Sequence, residues 1–134
     1  VATLHEQSVS IPLSSYTASV TGRNERSEGA RGLFVVVRVK TAGTGTITPF
    51  LTLLEPFQSV PSQQSQNVNI STAGTFFLVI HPFAAKRPAG EAANTVHANC
   101  IQTVDTLPPD RFRFNVNKSD GSTWEFGVSF QRLF

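Results

Sequence analysis

Alternation of apolar and polar side chains with a period of two runs through most of the chain. It is cleanest near the end, where Phe112, Phe114 and Val116 alternate with Arg111, Arg113, Asn115 and Asn117. After Lys118-Ser119-Asp120-Gly121-Ser122 it resumes, with Trp124, Phe126, Val128 and Phe130 between Glu125, Gly127, Ser129 and Gln131. Such spacing puts the apolar members of each run on one face of a strand. Asp-Gly between two alternating runs supplies positive φ angles for a tight turn, so the pattern predicts an antiparallel hairpin with one buried face.

Other segments read as strands by composition. Residues 33–39 are almost continuously apolar and β-branched, which predicts a central strand covered on both faces, with Arg38 and Lys40 bringing one face towards solvent. Residues 41–45 are a turn. In the strand of residues 46–54, Pro49 argues for a bulge or a sheet edge. Residues 57–66 read as loop, Val68 and Ile70 alternate with Asn67 and Asn69, and residues 71–74 turn the chain. A buried strand is expected at 75–81, closed by Pro82, and another at 96–104. Between them, Pro88 and Gly90 break any long helix in the connection of residues 83–94. At the front, Val9, Ile11 and Leu13 alternate with Ser8 and Ser10, and Tyr16, Ala18 and Val20 continue the pattern up to the loop of residues 22–32. No window carries apolar residues at helical spacing beyond about two turns. Roughly eight short strands predict an all-β fold, an antiparallel β-sandwich or jelly-roll-like barrel. The expected organisation is a single domain over residues 1–134 with an extended N-terminal arm.

Composition narrows the function classes. The 134 residues suffice to bury a core without staples. Eleven Phe against one Tyr, one Trp and no Met point to a core of rigid aromatic and β-branched side chains. Charged residues make up 15 %, below the usual quarter or so, which leaves polar but mostly uncharged surfaces. The formal net charge is +2 and the basic residues are scattered. Arg23, Arg26 and Arg31 interleave with Glu25 and Glu28, a self-compensating solvated loop rather than a phosphate-binding track, so no nucleic-acid partner is expected. The single cysteine, Cys100, excludes an intrachain disulfide and reads as a small buried strand residue. The longest apolar run, residues 33–37, is too short to cross a bilayer, and residues 1–6 lack the basic-then-apolar order of a signal peptide. No membrane association is expected.

Catalytic patterns are missing from the sequence. It has no Gly-x-Ser-x-Gly elbow. On one strand, Cys100 and His97 would point to opposite faces. His81 and His97 lack a third metal ligand. The nine carboxylates are dispersed, with Asp120 explained by its turn and Asp110 by the corner after Pro108 and Pro109. Residues 43–45 lack the Lys and helix of a phosphate loop. Arg111 and Arg113 project together, but the neighbouring aromatic side chains point away from them, so no base-stacking face results. These readings lead to the expectation of a non-enzymatic module without cofactor or metal, working through its surface.

Three phrases carry a family resemblance. The first is Arg26-Ser27-Glu28-Gly29-Ala30-Arg31-Gly32 followed by Leu33-Phe34-Val35-Val36-Val37-Arg38-Val39, then Gly45-Thr46-Ile47-Thr48-Pro49-Phe50-Leu51. The second is Thr72-Ala73-Gly74-Thr75-Phe76-Phe77-Leu78, and the third begins at Pro109-Asp110-Arg111-Phe112-Arg113-Phe114. Over about residues 26–134 this resembles short β-sandwich proteins from the head-gene clusters of tailed bacteriophages, although residues 124–130 are more aromatic than in that group. The resemblance implies a virion structural protein, a capsid decoration or cement protein on the capsid exterior, assembled in the host cytoplasm. Its implied partners are the major capsid protein and further copies of itself, with a homotrimer favoured. Such attachment draws on many weak contacts multiplied by valency. Candidate partner-binding residues are Arg23, Arg26, Arg31, Phe57, Phe83, Lys86 and Arg87, because aromatic and Arg side chains dominate interface hot spots. Core packing beneath long loops is the alternative for Phe57 and Phe83. The competing functional expectation is a carbohydrate- or cell-surface-binding sandwich of tail-fibre or lectin type.

Overall fold

The computed structural model describes residues 7–54, 59–60, 69–80, 100–104, 108 and 110–134, with backbone only at 53–54, 59–60 and 100–104. Ten strands lie among them: β1 (Ser8–Tyr16), β2 (Val20–Thr21), β3 (Glu25–Arg26), β4 (Gly32–Thr41), β5 (Ile47–Leu54), β6 (Ser59–Val60), β7 (Gly74–Ile80), β8 (Cys100–Val104), β9 (Arg111–Lys118) and β10 (Trp124–Leu133). They form a β-sandwich. The first sheet runs β1-β10-β4-β7-β8, and the second runs β2-β9-β5-β6 with β3 also on β9. Among the described strands every pairing is antiparallel except β7 with β8, which is parallel.

The alternating residues fill the space between the sheets. Phe112, Phe114 and Val116 of β9 face Phe126, Val128 and Phe130 of β10, and all six are buried. Ring centroids of Phe130 lie 5.5 Å from those of both Phe112 and Phe114, within the range of favourable aromatic pairs. Leu33, Val35, Val37 and Val39 supply the middle of the first sheet, with Ile47 and Leu51 opposite.

This packing corrects the expected hairpin. β9 and β10 do not pair at all: β9 bonds to β2, β3 and β5, while β10 bonds to β1 and β4. Residues 119–123 cross from one sheet to the other, a gap of about 10 Å that five residues span with ease. Neither Asp120 nor Gly121 has a positive φ, so the turn that the Asp-Gly pair suggested is not formed. Alternation states that a strand has one buried face. It does not state whether its successor lies beside it or across the core.

Three further expectations are revised. Ser59–Val60, within the segment read as loop, is a short strand against β5. Val9, Ile11 and Leu13 do not share a face, because two register shifts in β1 leave Ile11 buried and Val9 and Leu13 about half exposed, at 53 % and 48 %. Strand β4 is covered unequally: its odd positions 33–39 are buried, while Phe34 and Val36 are half-buried and Arg38 is exposed. The side chain of Cys100, together with His81, His97 and residues 1–6, lies outside the described residues.

Candidate partner-binding surface

The segment from Gly22 to Gly32 is largely exposed and pairs Arg23 with Glu25, as its charges suggested, but it also holds a short strand and a buried carboxylate. Gly22 donates its N–H to Phe114 O at 2.7 Å, and β3 docks on β9 with Glu25 opposite Phe112 and Arg26 opposite Arg111. Because Phe112 faces the core, Glu25 is drawn inward and is 7 % exposed. A buried carboxylate needs partners. Arg23 supplies an ion pair at 2.5 Å and Ser10 Oγ a long hydrogen bond at 3.4 Å. Arg23 therefore neutralises Glu25, while the Ser10 bond to the same carboxylate ties β3 to β1.

Beyond β3 the chain reverses through Ser27–Ala30. Ala30 N donates to Ser27 O at 3.0 Å, and both central residues are left-handed, Glu28 at φ 53° and Gly29 at φ 78°. That is the geometry Gly and Asn prefer, so Glu28 is held there against its intrinsic preference. Its carboxylate lies 3.8 Å from Arg132 Nε. Arg132 also donates to Arg26 O at 2.9 Å and sits 5.0 Å above the Phe130 ring. Arg31 donates its backbone N–H to Leu133 O at 2.7 Å while its side chain is exposed.

Arg26 has the opposite surroundings. It lies on the outer face of the second sheet, directly across from Arg111, with Arg113 two positions further along β9. Arg26 and Arg111 are exposed, and Arg113 is half-buried with its Nε shielded from solvent and lacking a hydrogen-bond partner. Next to them, Asn115 Nδ2 donates to Thr52 Oγ1 at 2.6 Å, and both residues are buried. Along the same face Phe50 is half-buried opposite Asn115, and Thr48 Oγ1 bonds Asn69 Oδ1 at 2.6 Å.

A second polar cluster stands where residues 41–46 meet residues 118–124. Asp120 Oδ2 accepts from Thr44 Oγ1 at 2.8 Å, and Oδ1 accepts from Ser122 N at 3.0 Å. The Ser122 hydroxyl lies 2.5 Å from Asp120 Oδ1 and 2.8 Å from Thr44 O, and its one proton serves either. The Ser122 and Thr44 bonds hold the Asp120 carboxyl below its ordinary pKa. Lys118 Nζ bonds the carbonyls of Asp120 and Ser122, and Trp124 Nε1 donates to Thr44 O at 3.1 Å. Gly45 has φ 72° and is packed so closely that a Cβ would strike Ser119 and Asp120.

Among the described residues, strand β1 forms one edge of the first sheet. It carries no charged residue, and Val9 and Leu13 are its exposed apolar side chains. Gly127 of β10 lets it lean close, since a Cβ there would meet the Leu13 backbone at 2.8 Å. Tyr16 closes the strand, its hydroxyl donating to Pro12 O at 2.6 Å and its pKa raised by burial.

Of the residues singled out from sequence, the structure brings Arg26 beside Arg111 and Arg113, assigns Arg23 to Glu25, and leaves Arg31 at the rim. Phe57, Phe83, Lys86 and Arg87 lie outside the described residues. The juxtaposition of Arg26 with Arg111, and the exposed edge of β1, were not anticipated. Both depend on strand pairing between distant segments. Compared with known proteins, the chain matches no family model, no curated protein and no solved structure.

Proposed function

We propose that the chain is a non-enzymatic virion structural protein of the capsid decoration type, attaching to the capsid exterior and to further copies of itself. The observation that supports this reading best is the uncharged edge strand β1, with Val9 and Leu13 exposed on a rigid sandwich. An unpaired strand edge offers backbone groups to a neighbouring chain, and apolar side chains beside it add burial on contact. Repetition over a symmetric shell multiplies such weak contacts into stable attachment. The resemblance over residues 26–134 points the same way.

The test is co-sedimentation of the purified chain with the capsid shells of its own virus, alongside its mass by analytical ultracentrifugation. The expected result is saturable pelleting and a trimer, with pelleting reduced when Val9→Ser and Leu13→Ser are combined. A monomer that stays in the supernatant would sink the proposal.

A second reading rests on the outer face of the second sheet. There the half-buried Phe50 shares a face with Thr48 and lies near the exposed Asn69 that Thr48 bonds, ring and amide groups of the kind that grip a sugar. Binding on a glycan array that Phe50→Ala abolishes would favour this carbohydrate-binding role over capsid decoration.

A further inference from the structure

We propose that Arg26, Arg111 and Arg113 form a docking site for an acidic protein segment, one that presents two or three carboxylates about a strand spacing apart. The site goes beyond the edge-strand reading and does not depend on it. Three observations lead to it.

The first is a like-charge pair in register. Arg26 and Arg111 are direct cross-strand partners on an outward face, an arrangement that destabilises a sheet unless something neutralises it. The second is the unmade bond of Arg113. Among the described residues its Nε has no acceptor and is closed to water, so a ligand would meet only the rest of this half-buried guanidinium. The third is the distribution of acids. Glu25 is occupied by Arg23, Glu28 lies against Arg132 and Glu125 against Lys40, so among the described residues none of the three arginines has a carboxylate partner.

The chemistry of the occupant follows from shape and charge. A guanidinium binds a carboxylate or phosphate through two parallel N–H bonds. Arg26 and Arg111 are about 5 Å apart at the backbone and Arg113 is about 7 Å further along, so the patch is compact. Glu28 and Asp110 border it and are exposed. A nucleic-acid backbone needs a longer track of cations without bordering acids. A short run of Asp or Glu side chains on a protein meets the patch without running on into those acids.

The probe is a fluorescein-labelled peptide of six glutamates, titrated with the full chain and followed by anisotropy, with labelled hexathymidylate as comparator. The expected result is peptide binding that weakens more than about tenfold when Arg111→Ser and Arg113→Ser are combined. It should weaken again on raising the salt from about 0.05 to about 0.5 M. Arg38→Ser, which removes one exposed charge from the other sheet, should leave binding within about twofold. The Arg26→Ser, Arg111→Ser pair involves two exposed residues and carries the same test should the Arg113 change impair folding. It should also leave the melting temperature of the free protein unchanged or raised, because repulsion is relieved. No peptide binding by the wild-type chain would overturn the proposal, as would equal weakening by Arg38→Ser or tighter binding of hexathymidylate.

Discussion

Two polar clusters among the described residues of this sandwich stand at opposite extremes of pairing. Around Asp120 each polar group meets a partner: Thr44 and Ser122 serve the carboxylate, Lys118 takes two carbonyls and Trp124 reaches Thr44 O. That cluster bolts the chain where it crosses between sheets. On the outer face of the second sheet, Arg26, Arg111 and Arg113 stand together without an ion pair among the described residues, and the Arg113 Nε is shielded from water with no partner there. Satisfied polar groups hold a fold together, whereas unmatched ones cost it stability. The contrast separates scaffold from the proposed docking surface more sharply than charge counts do.

The comparison breaks most visibly at the crossing. Trp124→Ala removes a fully buried ring along with its bond to Thr44 O, and the expected loss is about 3–5 kcal/mol in urea unfolding. Gly45→Ala forces a side chain into a left-handed position against Ser119 and Asp120, at a cost of about 1–3 kcal/mol by the same measurement. Either variant retaining wild-type stability would mean that the corner is not a bolt.

Acidification sharpens the same point. The Asp120 carboxyl titrates below its unfolded value, so its contribution is complete above the ordinary carboxylate pKa of about 3.9 and is lost as pH falls through the lower folded value. Asp120→Ala should therefore melt earlier than wild type at neutral pH, and the gap should close below about pH 4. A gap that widens in acid would contradict the assignment. The smallest effect belongs to the arginines: Arg26→Ser with Arg111→Ser should change stability by no more than about 0.5 kcal/mol, in the stabilising direction.

Much of this architecture was legible in the alternation itself. Phe112, Phe114, Val116, Trp124, Phe126, Val128 and Phe130 are buried as their spacing requires, and residues 33–39 form a central strand. Pairing was not legible. The Asp120–Gly121 step reads locally as a hairpin, yet aromatic contacts across the core place β9 and β10 in different sheets. Bulges in β1 likewise override an unbroken period, which exposes Val9 and Leu13. The arginine face was invisible for a related reason. Arg26 and Arg111 meet only through a register between distant segments, and local charge balance with Glu25 and Glu28 disguised it.

The most direct measurement is an amide chemical-shift map of the ¹⁵N-labelled chain as the six-glutamate peptide is added. If the outer face of the second sheet is the working surface, the shifts gather at Arg26, Arg111, Arg113, Thr52 and Asn115, while Thr44, Gly45, Ser119, Asp120 and Ser122 stay still. Shifts centred on the Asp120 corner, or spread evenly over exposed lysines and arginines, would contradict the separation of scaffold from surface.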